Sequence, residues 1–127
     1  MATFITRFDT SGPGIRLAVK DLIDMEGVPT TAGCRAVADR AAPATADASC
    51  LAGARAAGAR IVGRTNLHEL ALGVTGVNPW FGTPVNPLDP SRVPGGSSSG
   101  IRPQVVFNPV VPQQAAGIRT DPPVSLP

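Results

Sequence analysis

The alternation of apolar and polar residues predicts two β-strands. Arg16 to Ile23 alternates loosely with a period of two between a Pro-Gly and a Glu-Gly pair, as a strand bounded by turns does. Arg60 to Gly63 is short and β-branched, which is typical of a buried parallel strand. Between them, Val28 to Cys34 is rich in Gly, Pro and Thr and predicts a loop.

Two helices are predicted around the second strand. The first is rich in alanine and runs from about Asp47 to Ala57, with Thr45 as its N-cap and Gly58 as its stop. The second is short; Asn66 caps it and Glu69 follows three residues later, before an apolar face. Strand, helix, strand and helix in this order predict an α/β fold, a sheet with covering helices.

Composition and charge exclude several classes of function. The chain has 127 residues, enough for one small domain, and its formal net charge is +2. Its arginines are scattered, so we expect no nucleic-acid partner. No apolar stretch approaches the roughly 18 residues of a membrane span, and the N-terminus lacks a signal-peptide pattern, so we expect no membrane partner. Cys34 and Cys50 lack metal-type spacing, which predicts free thiols and a cytoplasmic protein.

The last part of the chain differs from the rest. Residues 101–127 contain six of the 14 prolines and show no sustained helical or strand period. We therefore predict one unit over residues 1–100 and an irregular, disordered extension over residues 101–127.

A few residues carry candidate chemistry. Lys20 is the only lysine; it is either an ordinary exposed lysine of the strand or, because its neighbours are apolar, a desolvated lysine whose lowered pKa would make it a base near neutral pH. Gly95–Gly100, which reads GGSSSG, is either a flexible linker or a turn that presents hydroxyls and backbone N–H groups. His68, the only histidine, is predicted to have a surface or packing role. Asp21 and Asp24 flank Lys20 on different faces, so we do not expect an acid–base pair.

Five segments of the chain form an ordered set of motifs. They read VKD, GVPTTAG, AGARIVGRTNLHELA, NP with GTPVNP, and RVPGGSSSG, and they begin at Val19, Gly27, Ala57, Asn78 and Arg92. Together they resemble the amidase signature family. The resemblance extends from about residue 13 to residue 100. Five blocks in this order are far more specific than a single Gly-Ser loop.

The resemblance implies both a fold and an activity. The implied fold is a mixed β-sheet covered by helices on both faces, of which residues 1–100 are the N-terminal part. The implied activity is hydrolysis of the carboxamide C–N bond of a small-molecule substrate by a Ser–cis-Ser–Lys triad. Lys20 matches the triad lysine, and Ser97 matches the bridging serine, whose preceding peptide bond is cis in the family. Ser98 and Ser99 are expected to help fix the loop, and no metal or cofactor is implied.

The family's nucleophilic serine has no counterpart at the expected place. It follows the bridging serine by about two dozen residues in a Gly-Gly-Ser-Ile-Arg-type segment, whereas residues 117–123 read GIRTDPP. Ser125 is the only serine after residue 100, and it lies outside such a motif. We therefore expect a truncated chain that is inactive as written. A frameshift near codon 100 fits the abrupt change to Pro-rich sequence.

Two alternatives to a general amidase are open at this point. The A subunit of a tRNA-dependent amidotransferase belongs to the same family, although His68 stands where that protein usually has Asp. A non-enzymatic remnant or interaction module is the other alternative. The sequence determines neither the amide substrate nor the oligomeric state.

Overall fold

The computed structural model describes residues 2–100, which contain a three-stranded sheet. Its strands are β1 (Phe4–Arg7), β2 (Arg16–Lys20) and β3 (Arg60–Thr65). β3 lies in the middle, antiparallel to β1 and parallel to β2. The sheet is therefore mixed, and β1 and β2 are its edges.

The connection between the two parallel strands contains two helices. They are α1 (Arg35–Ala38) and α2 (Ser49–Ala56), and a 3₁₀-helix (Glu69–Ala71) follows β3. Parallel strands require such a crossover, because the last residue of one strand and the first residue of the next lie at opposite ends of the strand pair. The predicted α/β class is confirmed for this part of the chain.

The core is small and joins α2 to the sheet. Val19 of β2 and Ile61 of β3 pack with Leu51, which is the buried residue of α2, and with Met25 from the connection. All four side chains are buried. This apolar cluster holds the parallel pair of strands in place, and that pair carries Lys20 at one of its ends.

The two predicted strands exist, but their ends differ from the prediction. The first was expected to reach Ile23, whereas β2 ends at Lys20. The N–H groups of Leu22 and Ile23 both donate to the Lys20 carbonyl, at 2.7 and 3.1 Å, so the backbone turns there. β3 continues past Gly63 to Thr65, since its last residues pair with the end of β2.

The predicted start of the Ala-rich helix is wrong. Thr45 caps no helix, and Ala48 is the residue before the first turn of α2. Asp47 does not enter the helix, because its carboxylate accepts hydrogen bonds from Glu26 N at 2.8 Å and Arg55 Nε at 2.6 Å. The predicted stop is confirmed, since Gly58 follows the helix with φ at +79°.

The short helix does not begin at Asn66. That side chain donates to the carbonyls of Ala2 and Gly82 at 2.8 and 2.6 Å, so it joins three segments and caps no helix. Helical structure starts later, at Glu69. Residues 28–34 and 77–94 contain no helix and no strand of the sheet, as expected of loops. The predicted tail of residues 101–127 lies outside the described residues.

Candidate active site

Lys20 and Ser97 meet at the end of the parallel strand pair. Lys20 is the last residue of β2 and is aligned with Thr65 of β3. Its Nζ donates a hydrogen bond to Ser97 Oγ at 2.8 Å, across 77 positions of sequence. The structure thus brings together the two residues that the motifs nominated.

Partial burial of Lys20 changes its acidity. Removal of water around the ammonium lowers the pKa of Lys20 from its usual value of 10.5. Within residues 2–100 no carboxylate forms an ion pair with this lysine that would oppose the shift. The free amine therefore forms at lower pH than on an exposed lysine, which is what a proton acceptor requires.

Backbone contacts hold Ser97 opposite the lysine. The Gly96–Ser97 peptide bond is cis, as the resemblance implies. The Ser97 carbonyl accepts a hydrogen bond from His68 N at 2.9 Å, and the Gly95 N–H donates to the Thr75 carbonyl at 3.1 Å. The GGSSSG segment is therefore packed against residues 66–76 and is not a flexible linker in this structure.

A methyl group at Gly76 should disrupt this packing. An added Cβ there would overlap Ser99 Cβ and lie 2.5 Å from the Gly95 carbonyl oxygen, and φ is +78°. We expect Gly76→Ala to lower the free energy of unfolding by about 1–3 kcal/mol in urea titrations. Gly53→Ala is the matched control, because nothing lies within 4 Å of its added Cβ in α2. That control should stabilise the chain by about 0.5–1 kcal/mol, and equal effects of the two substitutions would contradict the prediction.

Ser99 contributes to the loop by packing. It is fully buried, and its hydroxyl has no hydrogen-bond partner among the described residues. Gly100 beside it leaves no room for a side chain, since an added Cβ would lie 2.6 Å from both N and O of Asn66. That Ser99 helps to fix the loop stays a prediction, and its complete burial supports it.

A buried ion pair beside Lys20 was not found by sequence reasoning. Arg64 of β3 donates to Asp21 Oδ1 through Nη2 at 2.6 Å and Nε at 3.2 Å, and both side chains are 1% exposed. The same carboxylate accepts bonds from Thr31 and from Gly33 N at 3.3 Å. Asp21 directly follows Lys20, so this network fixes the end of β2.

His68 has a structural role in this part of the fold. Its ring lies against Gly73, where an added Cβ would overlap it, and its Nδ1 is 3.3 Å from Thr75 Oγ1. Its backbone N–H holds Ser97. This agrees with the predicted packing role and adds the contact to Ser97, for which a sequence pattern offers no signal.

Asn78, like His68, positions segments around the site. The sequence analysis included Asn78 in a motif but predicted no role for its side chain. It is 1% exposed, and its Nδ2 donates to the carbonyls of Gly33 and Leu67 at 2.8 and 2.9 Å. Its Oδ1 accepts from the N–H groups of Trp80 and Phe81. This amide therefore ties the loop after the 3₁₀-helix to the two segments that flank the site.

Neither a metal cluster nor a membrane helix is found in the described part of the chain. Residues 2–100 contain no group of three His, Cys, Asp or Glu side chains arranged to hold a metal ion. No helix in this range has the length and apolarity needed to cross a bilayer. Cys34 is buried, Cys50 is exposed, and both are free thiols.

The fold and the site together define an α/β protein with a Lys–Ser pair at the end of parallel strands. A family model described as Amidase matches residues 12–101. That match covers more than half of the chain, and the chain therefore belongs to the amidase signature family, as its sequence segments predicted.

Curated relatives are similar to this chain over a limited part of their length. The chain is 46% identical over 87 residues to the A subunit of a glutamyl-tRNA(Gln) amidotransferase from Halobacterium salinarum, which covers 68% of this chain and 20% of that protein. It is 43% identical over 95 residues to Amidase 1 from Oryza sativa subsp. japonica, which covers 75% of this chain and 22% of that protein.

Solved structures show the same relationship. The crystal structure of the A subunit of the glutamyl-tRNA(Gln) amidotransferase from Thermotoga maritima superposes with a TM-score of 0.67 at 34% identity. The superposition covers 76% of this chain and 23% of that one. The chain thus spans about a fifth of the length of the curated relatives that it matches.

Proposed function

We propose that residues 1–100 carry the lysine and the bridging serine of an amidase that hydrolyses the C–N bond of a small-molecule carboxamide. The observation that supports this is the 2.8 Å hydrogen bond between Lys20 Nζ and Ser97 Oγ. The family includes enzymes of this class, and the burial of Lys20 favours its unprotonated form. The proposed active-site pair is therefore a proton relay in which Lys20 bonds to Ser97, while Ser97 has no nucleophile beside it among the described residues.

The relay carries a proton toward Lys20 during attack on the amide and back from Lys20 during cleavage of the C–N bond. Neutral Lys20 accepts the Ser97 hydroxyl proton while Ser97 accepts the proton of an attacking hydroxyl, whose oxygen then forms a bond to the amide carbon. The C–N bond breaks when the proton returns from Lys20 through Ser97 to the leaving nitrogen. Water then hydrolyses the ester that remains, by the same relay.

The attacking hydroxyl must come from outside the described residues. Within residues 2–100, Ser97 Oγ has Lys20 as its only side-chain partner, so no second serine completes a triad there. Ser125, the one serine after residue 100, lies outside the described residues. We propose that residues beyond 1–100 supply the nucleophile and the donors that stabilise the oxyanion, and that helices cover both faces of the complete sheet.

The A subunit of an amidotransferase stays an alternative within the family, and the matched relatives support it no better than a general amidase. The relative from Halobacterium salinarum is named as one subunit of an amidotransferase, and such a protein would work with partner chains and with tRNA. The Lys–Ser relay would be the same in both cases, so the alternatives differ in partners and not in chemistry. Cytoplasmic location and the absence of a nucleic-acid partner stay predictions from the sequence.

A chimaeric enzyme tests the proposed function. In Amidase 1 from Oryza sativa, the segment that aligns with this chain over 95 residues is replaced by the matching segment of this chain, and ammonia release from a panel of primary carboxamides is measured. Because a misplacement of 1 Å can cost about 100-fold in rate, we expect at least about 1% of the parent's activity.

The control is the same chimaera with Ser97→Ala, which keeps the fold and removes the bridging hydroxyl. Its activity should fall by about 100-fold or more below that of the unmodified chimaera, because the proton relay is interrupted. A folded chimaera that is no more active than its Ser97→Ala variant would show that this chain's segment does not support amide hydrolysis.

A further inference from the structure

A cleft lies at the end of the sheet opposite to Lys20. It has a volume of about 360 Å³ and is lined by the end of β1 and by the first residues of β2 and β3. Three arginines line it, namely Arg7, Arg16 and Arg60. Arg16 begins β2 and Lys20 ends it, so roughly 13 Å of strand separates this cleft from the Lys–Ser pair.

The cleft carries a net positive charge from its described residues, since three arginines and one aspartate line it. Arg16 and Arg60 are direct partners in the parallel pairing of β2 and β3, an arrangement of like charges that destabilises a sheet. Within residues 2–100 none of the three arginines forms an ion pair with a carboxylate. Arg7 lies over the ring of Phe4, at 4.3 Å from its centroid. Asp9 is the one carboxylate that lines the cleft.

Backbone carbonyls orient one of these guanidinium groups in advance. Arg60 Nη1 donates to the Thr10 carbonyl at 3.1 Å, and Nη2 donates to the Gly14 carbonyl at 3.5 Å. Its Nε is buried and has no hydrogen-bond partner among the described residues. These contacts fix the group without cancelling its charge, and a fixed guanidinium loses less entropy when it binds an anion.

We propose that this cleft binds a small dianionic oxyanion, namely phosphate or the phosphate group of a phosphomonoester. Guanidinium groups bind the oxygens of such anions through paired, charge-assisted hydrogen bonds. The volume lies at the lower end of the range for small-ligand sites. One dianion would also relieve the repulsion between Arg16 and Arg60, which a monovalent ion does less well. The site is independent of the proposed amidase activity.

A titration with inorganic phosphate tests the proposal on the full chain. The Nε–Hε signals of the arginines are followed by NMR while phosphate replaces chloride, so that the ionic strength stays constant. We expect saturable shifts at Arg60 and Arg16. Arg16→Gln should weaken binding by about tenfold, because a charge-assisted hydrogen bond is lost.

Two further variants show whether binding depends on the charge of the cleft itself. Asp9→Asn removes the one carboxylate of the cleft and should tighten phosphate binding. Arg40→Gln removes the same charge as Arg16→Gln at an exposed position elsewhere and should change nothing. Arg7→Gln is a second cleft variant, which should also weaken phosphate binding. It replaces Arg16→Gln in the test if that variant fails to fold.

The outcomes are distinct. Tighter binding of methyl phosphate than of inorganic phosphate identifies a phosphomonoester as the ligand, and the reverse order identifies the free ion. Shifts that grow linearly and spread over all arginines, or equal weakening by Arg16→Gln and Arg40→Gln, would mean general charge screening and would overturn the proposal.

Discussion

Lys20→Met in the chimaeric amidase is expected to lower kcat by about 100-fold to 10,000-fold, the usual contribution of a positioned proton acceptor. Methionine keeps the length of the side chain and removes the amine that bonds to Ser97 at 2.8 Å. Since the relay acts on the chemical step, KM should change much less than kcat.

The dependence of kcat on pH separates this role from a structural one. Because burial lowers the pKa of Lys20, kcat of the unmodified chimaera should rise as the amine loses its proton and reach a plateau below pH 10.5. Lys20→Met should lack this limb. Lys20 is the only lysine of the chain, so ¹³C-methylation of the isolated chain labels it as the only side-chain amine and gives the pKa for comparison.

Arg40→Met is the matched control for the loss of charge. Arg40 is exposed and lies outside the site, so its replacement should leave both kcat and the pH profile unchanged. A Lys20→Met chimaera that keeps the rising limb, or that loses activity only through KM, would remove Lys20 from the proposed relay.

The elements that the sequence predicts are those with a local signal, namely loose alternation in β2, an Ala-rich run before Gly58 in α2, and β-branched residues in β3. β2, α2 and β3 each bury apolar side chains in one cluster, and their patterns are visible without a structure. β1 and α1 contain four residues each, which is too few for a period to be recognised. β1 exists because it pairs with β3, a partner nearly 60 positions away.

The polar caps were mispredicted for a related reason. Asn66 has the composition of an N-cap, but its amide satisfies the carbonyls of Ala2 and Gly82. The choice between a cap and a tertiary contact depends on which backbone groups the fold leaves unpaired nearby. A local pattern does not contain that information.

The site divides in the same way. Lys20 and Ser97 were predicted as site residues from sequence motifs. The apolar pattern around Lys20 predicts only partial burial of its side chain, and no pattern of this kind points to Ser97. The pairing of Asp21 with Arg64 depends on the register between β2 and β3, in which Val19 is aligned with Arg64. Asp21 was expected to be a strand residue, but β2 ends at Lys20, and the partner of Asp21 lies 43 positions away.

Arg64→Met is expected to lower the free energy of unfolding by about 3–5 kcal/mol, because it leaves the Asp21 carboxylate buried without its counter-ion. Both side chains are 1% exposed, so water cannot compensate. A typical domain has only about 5–15 kcal/mol of stability, and urea titrations should therefore show a large loss or no folded baseline.

Two comparisons show whether the unpaired charge causes this loss. Arg35→Met breaks an exposed ion pair with Asp39 at 3.6 Å and should cost about 1 kcal/mol or less. The double variant Asp21→Asn/Arg64→Met keeps an acceptor for Thr31 and Gly33 but carries no charge, so it should recover much of the stability. If the double variant is no more stable than Arg64→Met, packing of the arginine and not its charge maintains the end of β2, and the position of Lys20 would then depend on side-chain volume.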